Sequence, residues 1–130
     1  MKNTNNIYDF LRSNGLKQIE QDTSKYFGDY YDTFGNNVFE LRFSTSKSVE
    51  TVDIRSVSEE SNWYDLALVK ALLDDKENLT DVTSTNEYLA FLKKKLNHIS
   101  DLFSGKNYQA TKMRLDELGN KRAKQMFPGV

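Results

Sequence analysis

Cysteine is absent from this chain of 130 residues, and histidine occurs only once, at His98. Without cysteine the protein has no disulfide bonds, no thiolate nucleophile and no cysteine-bound metal. A single imidazole can build neither a multi-histidine zinc site nor a Ser-His-Asp triad with a spare base. We therefore expect a protein that is not an enzyme, with no catalytic residue, metal or cofactor. We interpret His98 as a residue that packs at the border of the buried face of its helix.

Clustered glycines and long apolar runs are missing as well. The six glycines are scattered, so they form neither a dinucleotide-binding fingerprint nor a phosphate-binding loop. No apolar run approaches the roughly 18 residues that span a bilayer, and the first 15 residues lack the apolar core of a secretory signal. These absences predict a cytoplasmic protein that does not bind membranes.

The composition is that of a globular protein, with 38% hydrophobic, 12% aromatic and 28% charged residues. At this length we expect a single domain over residues 1–130. The net charge is only −1, but the charges are segregated along the chain. Residues 48–87 carry ten acidic and three basic side chains, or −7, whereas residues 88–130 carry three acidic and nine basic side chains, or +6. Segregated charge of this kind indicates an acidic and a basic surface or segment that could bind partners of opposite charge.

The first half of the chain predicts a short helix followed by strands. Apolar residues between Ile7 and Leu11 lie within one helical turn, and Asn14-Gly15 is a natural left-handed helix end. Residues 16–22 fit either an edge strand, which we favour, or the start of another helix. From residue 25 to 57, β-rich runs alternate with turn residues, which indicates an antiparallel meander.

The register of one hairpin follows from its charges. If Ser46 pairs with Val49, the apolar residues of both strands share one face, and on the other face Arg42 meets Asp53 and Glu40 meets Arg55. A shift of two residues also matches the apolar faces, but it sets Glu40 opposite Asp53. Like charges directly opposite each other destabilise a sheet, so we prefer the first register.

The second half predicts three helices. The most apolar stretch, Asn62 to Asp75, predicts a largely buried helix that Asn62 caps together with Asp65 in a capping-box-like start. Ser84 and Glu87 form a capping box for a second helix, and a third begins near Asn107, with a possible break at Gly119-Asn120. The fold class is therefore α+β: an N-terminal helix, a three- or four-stranded antiparallel meander, then three helices packed on the sheet.

Acidic residues around the central helix are the first candidate binding surface, because a displayed acidic patch steers association with a basic partner. Acids at the C-terminal end of a helix interact unfavourably with the helix dipole. Their presence after this helix therefore indicates a functional requirement for negative charge there. Tyrosines are common interface anchors. The candidate partner-binding residues are Glu59, Glu60, Asp65, Asp74, Asp75, Glu77, Tyr30 and Tyr31. The alternative is a solvated rim around a buried helix. The acidic stretch after the helix does not fit an EF-hand, because it lacks a central glycine. A catalytic pair of acids among Asp74, Asp75, Glu77 and Asp81, as in a small hydrolase, is the third alternative.

A basic segment near the C-terminus is the alternative candidate. Lys121, Arg122 and Lys124 are close enough in sequence to contact phosphates together, which would suit a nucleic-acid-associated regulatory protein. Single-strand binders also display exposed aromatic residues, and here Tyr108 and Phe127 are equally well explained by packing. With a pI near 5.8, nucleic acid is the less favoured partner.

The run YYDTFGNNVFELRFSTSKSVETVDIRS from Tyr30, followed by NWYDLALVKALL from Asn62, resembles small bacterial proteins with an arginine-bearing hairpin and a helix that starts Trp-Tyr-Asp. Some proteins of that general kind are immunity proteins, which protect a cell from its own toxin. The resemblance covers about a third of the chain and carries over no catalytic residue. It implies a cytosolic inhibitor that binds one toxin domain. Together with the acidic surface, which suits a cationic cleft, it predicts an immunity-type inhibitor that occludes a bacterial toxin domain, for example a nucleic-acid-cleaving one.

Overall fold

The structure, a computed structural model, describes residues 4–23, 30–46, 49–59 and 62–129. In these ranges one helix precedes five strands, and three helices follow them. The elements are α1 (Thr4–Ser13), β1 (Lys17–Thr23), β2 (Tyr30–Gly35), β3 (Phe39–Ser46), β4 (Val49–Ser56), β5 (Tyr64–Asp65), α2 (Leu66–Asp74), α3 (Thr85–Phe103) and α4 (Tyr108–Met126). The predicted α+β class is confirmed, with the two-residue β5 as an additional strand.

The sheet is an antiparallel meander in which the strands lie in chain order, from β1 at one edge to β5 at the other. The segment that fitted either strand or helix is the edge strand β1. The β3–β4 register is the predicted one: Ser46 pairs with Val49, Arg42 with Asp53 and Glu40 with Arg55. Both expected ion pairs form, at 3.3 Å between Arg42 and Asp53 and 2.8 Å between Arg55 and Glu40.

The two faces of the sheet differ in chemistry. The inner face carries side chains that are at most 1% exposed, among them Phe34, Phe43 and Ile54. All four helices add buried apolar side chains to the same core, for example Leu11, Val69, Ile99 and Leu115. The outer face of β3 and β4 carries the charged side chains Glu40, Arg42, Asp53 and Arg55, and none of these belongs to the core cluster. Two polar side chains face inward instead: Asp32 accepts from Tyr8, and Ser56 donates to the Phe103 carbonyl at 3.0 Å. The sheet is therefore a layer with helices on one side.

Helix α1 covers the β1–β2 end of the inner face. It ends as expected, since Gly15 takes a φ of +86°, which favours glycine. The Tyr8 ring lies 4.5 Å from the Phe34 ring, and its hydroxyl donates to the buried Asp32 carboxylate at 2.7 Å. Burial, together with that acceptor, raises the pKa of Tyr8. The Tyr8–Asp32 bond anchors the helix to β2.

The predicted start of the central helix is wrong. The helix α2 begins at Leu66, and its cap is Asp65, whose Oδ1 accepts from the Ala67 backbone N–H at 2.9 Å. Asn62 instead donates its side-chain amide to Glu59 at 2.6 Å. The preceding residues pair with β4 as the strand β5, so Trp63 lies outside the helix and is only partly buried. The side chains of residues 63–65 therefore alternate between the two faces of the sheet, because pairing with β4 makes this segment a strand and not the first turn of a helix.

The C-terminal helices follow the prediction with two corrections. The capping box of α3 forms, with the Ser84 hydroxyl accepting from Glu87 N–H and the Glu87 carboxylate accepting from Ser84 N–H. His98 is exposed, so its assignment as a packing residue is wrong: it lies on the solvent side of α3 next to the buried Ile99. The helix α4 is continuous from Tyr108 to Met126, so Gly119 does not break it, and Gly119 lies beside Leu68 of α2.

Candidate partner-binding surface

The acidic residues that precede α2 are bound to α4. Glu59 Oε1 accepts from Lys112 Nζ at 2.5 Å, and Glu59 Oε2 accepts from Gln109 Nε2 at 3.3 Å. The Lys112 hydrogen bond lowers the pKa of Glu59, and the same bond raises the pKa of Lys112. Glu59 is therefore engaged within the fold, and its neighbour Glu60 lies outside the described residues.

Asp65 is engaged in the same way. Its Oδ1 caps α2, while its Oδ2 accepts from Arg122 Nη1 at 2.8 Å. Lys112 and Arg122 come from the basic end of the chain, whereas Glu59 and Asp65 come from its acidic middle. Much of the charge segregation in the sequence thus becomes charge pairing in the fold, and the two segments meet along α4.

The remaining acidic candidates lie at the C-terminal end of α2. Asp74 accepts from Lys70 at 3.0 Å, one turn earlier on the same helix. Asp75 is the C-cap in the left-handed conformation, with φ 53° and ψ 45°, and it has the positive φ that a non-glycine residue rarely adopts. Glu77 and Asp81 follow on the connection to α3 and are exposed. We call Asp74, Asp75, Glu77 and Asp81 the acidic end.

The connection that carries the acidic end has no regular secondary structure, yet it is anchored at several points. Leu79 is buried, and its backbone N–H donates to Gln125 Oε1 on α4 at 2.8 Å. The same Gln125 amide donates to the Glu77 carbonyl at 2.7 Å. Asn78 closes a local turn by accepting from Thr80 N–H at 3.0 Å. These bonds hold the loop in one shape, and Val82 projects from it with 91% of its surface exposed.

Concave surfaces flank the acidic end on two sides. A shallow, open depression of about 560 Å³ has Glu77 on one wall and Lys121 on another. A cleft of about 280 Å³ between α2 and α3 is lined by Asp74, Glu87 and Phe91, together with the alkyl stems and ammonium groups of three lysines. Glu87 has a lowered pKa, chiefly because its carboxylate accepts from the Ser84 backbone.

The tyrosine candidates are not part of the acidic end. Tyr31 is half-buried on β2, where it pairs with Ser44 of β3 on the outer face of the sheet. The helix α2 packs on the inner face, so Tyr31 and the acidic end lie on opposite sides of the molecule. Tyr30 pairs with Thr45 in β2, but its side chain lies outside the described part of the chain.

The basic candidates are divided as well. Lys121 and Lys124 are exposed on α4, whereas Arg122 is committed to Asp65. The three residues therefore do not act as one free cationic group. Lys121 shares its depression with the acidic Glu77, which reduces the local positive potential that phosphate binding requires.

A further cluster, which the pattern of the sequence did not reveal, lies on the outer face of the sheet. The guanidinium carbons of Arg42 and Arg55 lie 4.3 Å and 4.4 Å from the ring centroid of Trp63. Each arginine is also ion-paired, Arg42 with Asp53 and Arg55 with Glu40. We call these five residues the Trp63 patch. The assignment of Trp63 to a buried helix concealed it, although the outward charges of β3 and β4 were a visible signal.

Burial and a neighbouring charge act together on one acid of the patch. The pKa of Asp53 is raised by its burial, and the facing Asp65 raises it further, whereas Arg42 opposes the shift. Tyr88 of α3 lies near both carboxylates, and its own pKa is raised, mainly by burial. The two acids thus face each other at the β4–β5 edge, and each has an arginine of its own.

Within the described residues, His, Asp and Glu side chains form no group of three that could hold a metal ion. In the same ranges, none of the helices is both long enough and apolar enough to span a membrane. The fold and surface define an α+β protein with a one-sided helical layer and a charged, aromatic outer face. No family model, no curated protein and no solved structure matches the chain.

Proposed function

We propose that the chain is a non-enzymatic protein-binding protein, an immunity-type inhibitor that occludes a bacterial toxin domain. In this proposal it meets a basic partner through the acidic end. An inhibitor that blocks the cleft of its partner needs a surface complementary to that cleft in shape and charge, and it needs no catalytic residue. The partner class that fits is a domain with a cationic cleft, such as a nucleic-acid-cleaving toxin, because acidic side chains can occupy a site built for phosphates.

The observation that carries the proposal is the conformation of Asp75. A left-handed C-cap is ordinarily glycine, and an acid at this end of a helix opposes the dipole, so two local preferences are violated at one residue. Such violations are expected at functional positions, where another requirement outweighs stability. The neighbouring Asp74 adds a second acid to the same helix end, where Lys70 pairs with it and Lys76 lies 3.8 Å from Asp81.

The anchoring of the loop also supports the proposal. A surface that is already held in its bound shape loses less conformational entropy when the partner arrives. Gln125 holds the loop at Leu79 and Glu77. The exposed Val82 gives the loop an apolar contact beside its charges. Protein interfaces commonly combine an apolar centre with a polar rim.

The test begins with crosslinking and co-purification of the full chain from its native cells. The captured protein is then purified and titrated against the chain, and its toxicity is measured in cells with and without the chain. We expect a partner with a basic surface whose toxicity the chain suppresses. Repeated capture of no protein partner, or a partner that is not inhibited, contradicts the proposal.

A matched pair of triple variants then tests the surface. Neutralisation of three of the four acids of the acidic end, by Asp74→Asn, Asp75→Asn and Glu77→Gln, should weaken binding at least ten-fold. The loss should be mainly in the association rate, and the salt dependence of binding should fall. The control is Asp9→Asn, Asp101→Asn and Glu117→Gln, which removes the same three charges from exposed positions elsewhere. Equal effects of the two triple variants would show that only net charge matters and would exclude the acidic end as the contact surface.

A nucleic-acid-binding assay tests the alternative function, a nucleic-acid-associated regulatory protein. If the chain bound DNA or RNA in a salt-dependent manner, and neutralisation of Lys121, Arg122 and Lys124 abolished that binding, the regulatory function would replace the inhibitor. The structure offers no specific support for this alternative, since Arg122 already binds Asp65.

A further inference from the structure

The outer face of the sheet has charges arranged on two diagonals. Glu40 and Asp53 lie on one diagonal of the β3–β4 hairpin, and Arg42 and Arg55 lie on the other. Trp63 lies over the arginine diagonal, in contact with both guanidinium groups. The four helices pack on the inner face. On the outer face the charged side chains of the patch keep 13% to 33% of their surface exposed beside Trp63.

This arrangement is complementary to itself. A second copy, turned face to face about a two-fold axis parallel to the strands, exchanges the positions of β3 and β4. Its Arg55 then lies over Glu40 of the first copy, and its Asp53 lies over Arg42. All four facing pairs have opposite charge, as an isologous interface requires. The two Trp63 rings meet close to the axis.

The composition of the patch suits a binding interface. Tryptophan, arginine and tyrosine are enriched among the residues that dominate binding energy. Trp63, Arg42 and Arg55 form the centre of the face, and Tyr31 lies on the neighbouring strand. The arginines keep their ion pairs within the chain, so their charges are already partly desolvated and positioned before association.

The area available determines the strength of association. The four longer strands have six to eight residues each. They span roughly 20 Å along the strands and about 15 to 20 Å across them. Two such faces bury on the order of 1,000 Å² once projecting side chains are included, which is the lower end of the range for specific interfaces. A reversible dimer with a micromolar dissociation constant is the expected result.

We infer that two copies of the chain associate through the Trp63 patch into a two-fold symmetric dimer. The inference is independent of the proposed inhibitor function, because the acidic end lies on the other side of the sheet. The dimer brings the two outer faces together, and it leaves both acidic ends outside the interface.

Sedimentation velocity from about 5 to 500 μM tests the dimer, because the range brackets a micromolar dissociation constant. The chain of 15.1 kDa should approach twice that mass at the upper end. Fluorescence gives a second readout, because Trp63 is the sole tryptophan of the sequence and its emission should shift to shorter wavelength over the same concentrations.

Two substitutions address the interface. Thr51→Arg places a bulky charge on an exposed outward position of β4 that forms no described side-chain bond, and Trp63→Ala removes the centre of the patch. Each should weaken association at least ten-fold. Arg114→Glu, on the exposed side of α4, is the control and should have no effect. Circular dichroism verifies that each variant is folded.

A chain that remains monomeric throughout the range overturns the inference, as does a dimer that tolerates Thr51→Arg. Equal weakening by Arg114→Glu would also overturn it. A monomer whose Trp63 emission shifts when the captured partner is added would assign the face to that partner instead of a second copy.

Discussion

Asp65 performs two tasks with two oxygen atoms, and the tasks can be separated by substitution. Oδ1 caps α2 by accepting from Ala67 N–H at 2.9 Å, and Oδ2 accepts from Arg122 at 2.8 Å. Asp65→Asn keeps an oxygen for the cap but removes the ion pair. Asp65→Ala removes both interactions, and Arg122→Ala removes only the ion pair.

The magnitudes follow from burial. Loss of an N-cap costs about 1 kcal/mol, and asparagine caps about as well as aspartate. The ion pair is only partly buried, with side chains that are 25% and 32% exposed, so its contribution is about 0.5 kcal/mol. We therefore expect costs in unfolding free energy of about 0.5 kcal/mol for Asp65→Asn and for Arg122→Ala, and about 1.5 kcal/mol for Asp65→Ala.

Urea unfolding followed by circular dichroism measures these differences. With an m-value of about 1.5 to 2 kcal/mol/M, a change of 1 kcal/mol shifts the midpoint by about 0.6 M. In the Asp65→Asn background, Arg122→Ala should cost almost nothing, because its partner is already lost. The facing Asp53 gives an NMR readout, since removal of the Asp65 charge should lower the raised pKa of Asp53.

Two results would refute this reasoning. If Asp65→Asn destabilised the protein as much as Asp65→Ala, the cap would not be the larger contribution. If Arg122→Ala cost the same in both backgrounds, Arg122 would act through something other than Asp65.

Three further predictions concern pH, backbone conformation and packing. Lys112 lowers the pKa of Glu59, so the stabilisation from this pair is fully present above the ordinary value of 4.5 and is lost as the pH falls through the lowered pKa. The stability difference between the protein and Glu59→Gln should therefore shrink on acidification in chemical unfolding from pH 7 to 3, and a difference that grows would contradict the pairing. Asp75→Gly should raise stability by up to about 1 kcal/mol in urea unfolding, because glycine adopts φ 53° without strain, and an unchanged midpoint would argue against strain there. Leu115→Ala should cost about 2 to 5 kcal/mol by opening a cavity under α4, while the exposed Met113→Ala costs under about 0.5 kcal/mol, and similar thermal shifts for both would mean that α4 does not pack as described.

Charge was the most informative feature of the sequence for the sheet. Hydrophobic alternation alone allowed two registers of the β3–β4 hairpin, and the like-charge pair between Glu40 and Asp53 excluded the wrong one. That register predicts both ion pairs, and both form in the structure. Hairpins with ordinary turn residues can be aligned in this way when their outer face is charged.

The central helix shows where pattern reasoning fails. The apolar count from Trp63 to Leu73 was sound, but it could not reveal that Tyr64 and Asp65 pair with β4 before the helix begins. That pairing sends Tyr64 inward and Trp63 outward. Long-range strand pairing therefore decided what local periodicity could not, and the Trp63 patch was missed for this reason.

The sequence predicted that acidic residues around the central helix lie near the surface, but not which of them pair within the fold and which remain exposed. Acids on either side of the helix looked equivalent in sequence. In the fold Glu59 and Asp65 are bound by α4, whereas Asp75 and Glu77 remain exposed. Only the position of α4, some 50 residues later in the chain, separates the two sets.

The pairing of the acidic middle with α4 has a consequence for synthesis on the ribosome. Residues 1–107 alone carry 13 basic and 17 acidic side chains, a net charge of −4, and the cationic partners of Glu59 and Asp65 emerge last. Before α4 has been synthesised, Glu59 and Asp65 have neither Lys112 nor Arg122 to pair with. The β4–α2 region should therefore reach its final form only after α4 has left the ribosome, and a chain truncated before α4 should be a poor mimic of the folding protein.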